Sequence, residues 1–430
     1  MRYGYALPLI VLVVVGFVSG YIIGGASQRV VTTTVTLPVT KLRTVTSVAT
    51  YTLRGYVTRI TTLVSTRTLT RTVTATLIST SLRTLAKTVT TTAVFTRVTT
   101  ERVVVVPRGE QVVIAWMLNT CNRSDWEIIE RYARVIDVVS PDWYYLTEEL
   151  GVGRYDRRCA EDKEFIEFLK GLGIKLMPML VTANSEWVRR LVTDPSAIDA
   201  LAAELVTLAK RYGYYGYNID FEVSIPENAA DFASFIDRLA KRLHRYGLVL
   251  TVDVPAKRME WPSRYTATYD YALLGKTEAD AIIIMAYDFY EWSGRPKPVA
   301  PIWWVEDCVK YALRYIPREK LILGIPNYGK VWFSDGSFKG WLLYPDWLDL
   351  LRSSGRNYTV DREIMEKVLE LDNEVAYFVD GEMGYYRALI AVKYGLKGIA
   401  VWRLDKGDPE AWGHYARALG KQLPCVTGPG

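Results

Sequence analysis

The run from Gly213 to Val223, GYYGYNIDFEV, sets an amide and two carboxyls at every second position: Asn218, Asp220 and Glu222. Side chains alternate along a strand, so these three share one face, ~6.6–7 Å between neighbours. Tyr217, Ile219 and Phe221 share the other face. A carboxyl buried without a partner costs several kcal/mol, so such groups are expected to be paired, protonated or used. Two carboxyls in a low-dielectric site push each other's pKa apart, a division of labour that suits glycosidic bond cleavage. Glu222, last on the strand, is read as the more desolvated of the two and is expected to keep its proton as a general acid. Asp220, one step deeper, is expected to stay ionised if Asn218 and nearby hydroxyls donate to it. A purely structural polar network is the alternative for the same row.

The elements that must hold this row begin near residue 111. Apolar runs follow one another as VVIAWML, VIDVVSPDWYYL, IKLMPMLVT, GYNIDFEV, LVLTVDVPA, AIIIMAYDF, LILGIPNYG and GIAVWRL. Amphipathic stretches such as EDKEFIEFLKGLG and NAADFASFIDRLAKRLHRYG lie between them, the second closed by Gly247. Strands alternating with helices imply βα units and a parallel sheet, and eight of them imply a (β/α)₈ TIM barrel. In such a barrel the apolar face of the fourth strand meets helices, the polar row points inward, and Glu222 stands at the C-terminal mouth. Residues 330–397, between the seventh and eighth strands, are too many for a plain crossover and are expected to form a small insertion. An open doubly wound sheet is the competing architecture, although no Gly-rich phosphate loop follows the first strand.

The N-terminal part has a different texture. Residues 3–28 carry no charge, and ALPLIVLVVVGFVSGYIIGGA (6–26) is long enough to span ~30 Å of hydrocarbon. Residues 1–30 are therefore read as a transmembrane signal-anchor, and 31–108 as a Thr/Val-rich low-complexity stalk, with 27 Thr in residues 31–100. Residues 1–110 hold 13 Lys/Arg against 2 Asp/Glu, while the remainder holds 40 against 45. The large domain, 109–424, is thus mildly acidic and has no nucleic-acid footprint. With two histidines and no CxxC pair, neither a metal nor another cofactor is expected. Cys121 and Cys159 sit in polar loops where a disulfide outside the cell is one option.

YGYNIDFE, residues 215–222, resembles the D-G-x-D-x-D-x-E strand of glycoside hydrolase family eighteen, the chitinases and their relatives, and most of all their spore-germination and cortex-lytic branch. MAYD (285–288) is similar to that family's M-x-Y-D, GIPNYG to its G-I-P-x-Y-G, and GIAVWRL to its closing strand with a floor tryptophan. The resemblance runs over roughly residues 111–420. It implies that Glu222 protonates the glycosidic oxygen while the substrate's own 2-acetamido group attacks the sugar, with net retention. Asp220 would orient that acetamido group, Tyr287 would donate to its oxygen, Met285 and Asp288 would line the subsite, and Trp402 would be its floor. The family's first and middle Asp are Tyr215 and Asn218 here, which leaves Asp220 without a partner for its proton and predicts that it is ionised throughout.

Among the aromatic residues, Trp116, Trp143, Tyr290 and Tyr328 end strands and are candidates for sugar contact. Trp303, Trp304, Trp341 and Trp347 lie in helix or insertion contexts and are assigned to packing. The resulting expectation is a single-pass membrane protein whose extracellular barrel hydrolyses β-linked N-acetylglucosamine-containing polysaccharides or glycans. A lectin on the same scaffold, binding without cleavage, is the alternative.

Overall fold

The computed structural model describes residues 111–423 except 156–158, 260–262 and 290–294, together with four strands nearer the N-terminus. Those strands pair antiparallel, Thr52–Leu53 with Tyr56–Val57 and Thr68–Leu77 with Lys87–Thr96. The anchor expected over residues 1–30 and the rest of the stalk lie outside the described residues. Among the described residues, no helix is long and apolar enough to cross a membrane.

Eight parallel strands form the barrel: Val112–Met117, Val138–Leu146, Met179–Thr182, Gly216–Phe221, Val249–Pro255, Ala281–Met285, Leu321–Pro326 and Gly398–Trp402. Each bonds to the next, and the eighth pairs with the first from Gly398↔Val112 to Val401↔Ala115, which closes the sheet. Closure demands close approach between neighbouring backbones. A Cβ on Gly216 would lie 2.0 Å from the Val249 carbonyl oxygen, and one on Gly398 equally close to that of Val112, so only glycine fits at either strand start.

Two apolar layers follow from strand alternation. Tyr217, Ile219 and Phe221 join the layer between barrel and helices, whereas Ile114, Trp116, Met177, Met179, Ile283 and Ile322 fill the barrel itself. The helix Ala229–His244 contributes Phe232, Phe235, Ile236 and Leu239 to the outer layer and ends in a turn at Gly247, where φ is 72°. Tyr215, where the resemblance wanted an aspartate, sits at the lower rim of the barrel. It packs on the inner cluster with Lys175 Nζ 4.1 Å from its ring.

The insertion is a five-stranded antiparallel sheet in the order Phe338–Leu342, Gly329–Phe333, Glu374–Phe378, Glu366–Glu370, Thr359–Asp361. The helix Tyr344–Ser354 covers one face through Trp347, which packs with Val331, Leu342, Leu369, Ala376 and Phe378. Lys330, Trp332 and Trp341 point to the other face. A register shift between Val331 and Trp332 pairs Trp332 with Phe338, bringing that ring onto the face of Trp341 three residues away. A disulfide joins Cys121, after the first strand, to Cys159, after the second, with their Cα atoms 5.6 Å apart.

Candidate active site

A cavity of about 500 Å³ opens at the C-terminal ends of the strands. Eight of the eleven residues singled out in the sequence line it: Trp116, Asp220, Glu222, Met285, Tyr287, Asp288, Tyr328 and Trp402. Asn218 lies fully buried beneath, and Tyr290 falls outside the described residues. Trp143 is not brought there. It is buried in the outer layer, its indole N–H donating to Thr120 Oγ1 at 3.2 Å.

The chain is pinned on both sides of Glu222. Its own N–H donates to the Thr182 carbonyl at 2.9 Å, and the next N–H, of Val223, donates to the Tyr269 hydroxyl at 2.9 Å. The Tyr269 hydroxyl in turn donates to the Phe221 carbonyl. Ser224 N–H and Ile225 N–H bond to Ser185 Oγ and Thr268 Oγ1 at 3.0 and 2.8 Å. These bonds fix the direction in which the carboxyl leaves the strand.

The burial order of the two carboxyls reverses the expectation. Glu222 is the more open of the two, at the rim of the mouth, and Asp220 lies half-buried one step down, because the strand runs outward from the packed barrel interior. Both are nevertheless raised. Burial lifts Asp220 to about 7, with the charge of Glu222 adding to it. Burial within the mouth, then the charge of Asp288, lifts Glu222. Burial and the charge of Glu222 both work against an Asp220 that is ionised throughout, the form expected from the sequence.

Asn218 does not support Asp220 as expected. Its amide N–H donates to Asp253 Oδ2 at 2.5 Å, and its carbonyl accepts from Thr251 Oγ1 at 2.5 Å. Asp253, from the fifth strand, also lines the cavity. It is 2% exposed, and burial followed by the charge of Asp220 lifts its carboxyl well above the ordinary range. One oxygen of each carboxyl, Asp220 Oδ1 and Asp253 Oδ1, is buried without a hydrogen-bond partner.

The opposite wall is built from the sixth, seventh and eighth strands. Tyr287 has room because residue 324 is glycine, whose Cβ would stand 3.2 Å from the tyrosine ring and 2.7 Å from the Ile284 carbonyl. Burial, then the charge of Asp253, holds the Tyr287 hydroxyl well above its usual range, so it remains a donor. Asp288 adopts a left-handed φ of 58° and accepts from the Tyr328 hydroxyl at 2.5 Å and from Lys330 Nζ at 2.9 Å. Trp402 meets Trp116 edge-on with ring centroids 6.2 Å apart. The backbone beyond Trp402 is held by Asn327, whose N–H donates to the Trp402 carbonyl at 2.6 Å and whose side chain accepts from Asp408 N–H at 3.1 Å.

Sequence reasoning missed Asp253, Met179, Trp341, Leu343, Asp346 and Arg403, all of which line the cavity. Trp341 was assigned to packing, yet 56% of its surface is exposed, because it projects from the uncovered face of the insertion sheet. For Asp253 a signal existed: Thr251 and Asp253 alternate in LTVDVP as Asn218 and Asp220 do in YNIDF. Among the described residues no group of side chains is arranged to hold a metal.

Known proteins share this architecture. The solved chitinase of Chromobacterium violaceum superposes with a TM-score of 0.65 at 26% identity, over 73% of this chain and all of that one. The spore cortex-lytic enzyme SleL of Bacillus megaterium shares the fold, with a TM-score of 0.64 at 16% identity over 81% of this chain and 80% of that one. In sequence the chain is 27% identical to the uncharacterized glycosylase YvbX of Bacillus subtilis over 242 residues, 53% of this chain and 68% of YvbX. To the cortical fragment-lytic enzyme of the same organism it is 24% identical, over 53% of this chain and only 55% of that relative's length. The profile of the glycosyl hydrolases family 18 matches residues 182–407, from the end of the third strand to just past the eighth, a little over half of the chain. That match includes the strands that carry Asp220, Glu222, Asp253, Met285 and Trp402, and with the closed barrel it identifies the chain as a member of the glycosyl hydrolases of family 18.

Proposed function

We propose that the protein hydrolyses β-linked N-acetylglucosamine-containing glycans by substrate-assisted, retaining catalysis, as an outward-facing enzyme anchored in a membrane by its N-terminal segment. The observation that carries the reading is one cavity lined by Glu222, Asp220, Tyr287 and Trp402 together. Glu222, raised above the ordinary carboxylate range, is the general acid on the glycosidic oxygen. The substrate's 2-acetamido oxygen attacks the sugar carbon, Asp220 orients its N–H, and Tyr287 donates to that oxygen as an oxazolinium forms. Trp402 is the floor on which the sugar stacks, with Met285, Asp288 and Tyr328 closing the subsite. The anchoring rests on the 21 uncharged residues 6–26, and the Cys121–Cys159 disulfide fits an oxidising compartment.

The test is turnover of a chromogenic chito-oligosaccharide by the full chain against Glu222→Gln. Loss of a general acid predicts a fall of roughly 10²–10⁴-fold in kcat with the folded barrel retained. Undiminished turnover in the variant, or a wild type that binds the oligosaccharide and never cleaves it, overturns the assignment; the second result is the lectin. Flotation with lipid vesicles tests the anchor: the full chain is expected to float, and a chain starting at residue 31 to stay behind.

A further inference from the structure

The fourth and fifth strands place a second carboxyl beside Asp220. The fourth and fifth strands pair in parallel with Gly216↔Val249, Asn218↔Thr251 and Ile219↔Val252 opposite one another. Continuing that ladder by one residue sets Asp220 level with Asp253. Adjacent strands lie ~4.8 Å apart, and both side chains point into the barrel. Each carboxyl keeps one oxygen buried and without a hydrogen-bond partner. The remaining Asp253 oxygen is occupied by the Asn218 amide at 2.5 Å, and Asn218 is itself held by Thr251. Asn218 therefore serves as a clamp that fixes the rotamer of Asp253.

We infer that Asp253 is the proton-sharing partner of Asp220, so that the two carboxyls of the fourth and fifth strands hold one proton between them in the resting protein. Two like charges this close in a buried site cannot both ionise, and an O–H···O⁻ bond between the two open oxygens satisfies both of them. The groups that act electrostatically on Asp253 are Asp220 and Glu222 from the fourth strand, with the Asn218 amide bonded to it and the Tyr287 hydroxyl facing it from beyond the sixth. Arg403, after the eighth strand, is the cation lining the same cavity, and its guanidinium is engaged by Asp405 at 3.3 Å. In the reaction proposed above, the proton stays on Asp253 when an acetamido N–H arrives. Asp220 then faces the substrate as an anion without releasing a proton to solvent. Asp253 is on this account a positioning residue that acts through Asp220, and the inference deepens the functional reading without depending on turnover for its test.

Asp253→Asn keeps the side-chain shape and, through its amide oxygen, the bond from Asn218. Titration of the Asp220 carboxyl in the full chain, by difference infrared spectroscopy in a Glu222→Gln background, reads the proton directly. With Asp253 present, a protonated carboxyl is expected to persist to near-neutral pH. In Glu222→Gln/Asp253→Asn, the titration of Asp220 is expected to move down by a pH unit or more, a tenfold or greater loss of proton affinity. An Asp220 titration that stays in place when Asp253 is replaced overturns the inference, since a merely structural Asp253 would leave it there. If Asp253→Asn unfolds the chain, the same measurement on Asn218→Ala decides instead. Freeing the clamped oxygen is expected to strengthen the shared proton and raise the pair's titration, and a fall or no change overturns the inference. Absence of glycosidase activity in the wild type would sink the functional reading alone and leave this titration standing.

Discussion

Asp288 is the residue through which the walls of the cavity speak to the acid. It sits with a left-handed φ of 58°, uncommon for a side-chain-bearing residue and sustained here by two partners. Tyr328 donates to it and the buried Lys330 pairs with it at 2.9 Å. Its charge is in turn the second cause, after burial, of the raised Glu222 carboxyl. Replacing Lys330 by Met removes the cation that offsets Asp288, so the anionic form of Glu222 becomes less favoured and its pKa rises further. A general acid is active while protonated, so the alkaline limb of kcat/KM is expected to shift to higher pH, by about half a unit to one unit for a charge at this range. A pH–rate series on chito-oligosaccharide checks the sign; a limb that moves down would mean that Lys330 does not reach Glu222 through Asp288. At this scale the sequence disclosed most of the cavity, because a period of two in YNIDFE fixes which side chains share a face. It did not disclose the burial order of Asp220 and Glu222, which depends on how deep the strand end lies in the mouth. Nor did it disclose the partner of Asn218, which depends on the neighbouring strand's register.

The insertion sheet shows what an element adds beyond single residues. Its uncovered face carries a row of rings continuing from the cavity: Tyr287 to Tyr328 at 6.2 Å, Tyr328 to Trp341 at 5.5 Å, Trp341 to Phe338 at 5.4 Å, and Phe338 to Trp332 at 5.0 Å. Trp341 and Phe338 are among the largest exposed apolar side chains, at 56% and 43%. An exposed ring in continuity with a sugar-binding cavity is well placed to stack on sugar units beyond the one being cleaved. Trp341→Ala is expected to raise KM for a long chito-oligosaccharide by roughly fivefold, the equivalent of about 1 kcal/mol for one aromatic stacking contact. The shortest cleavable substrate and the melting temperature are expected to change little, since the ring contributes little to the core. Equal losses on short and long substrates would show that Trp341 acts inside the cavity alone. The eight barrel strands were legible because each sits within a mainly apolar stretch bounded by helical pattern. This sheet was legible only as excess length: its strands are three to five residues long, one is bulged, and a lone Trp in such a run looks the same whether it packs or projects.

For the molecule as a whole, the sequence's two textures set a Thr-rich, basic N-terminal quarter against an acidic barrel domain, and the described residues bear chiefly on the second. Within that domain the barrel closes by hydrogen bonds between its eighth and first strands, while the loops at its mouth have no such ladder. The Cys121–Cys159 bond ties the loops that follow the first two strands, 38 residues apart in sequence. Thr120 extends the tie, donating from its hydroxyl to the Cys159 carbonyl at 3.0 Å and accepting at its own carbonyl from the Trp126 indole at 2.8 Å. A loop of this length, once closed, restricts the unfolded chain by about 3–4 kcal/mol in the chain-entropy account. For a domain of this size, each kcal/mol corresponds to roughly 2–4 °C in Tm. Cys121→Ala/Cys159→Ala, or the wild type under reductant, is therefore expected to melt roughly 10 °C lower, by calorimetry or circular dichroism. Turnover at 25 °C should be unchanged, because Trp116, the cavity residue on the first strand, is held by the barrel sheet and by the Leu404 N–H bond to its carbonyl at 2.8 Å. Activity lost at a temperature where the variant remains folded would instead mean that the tied loops shape the cavity itself.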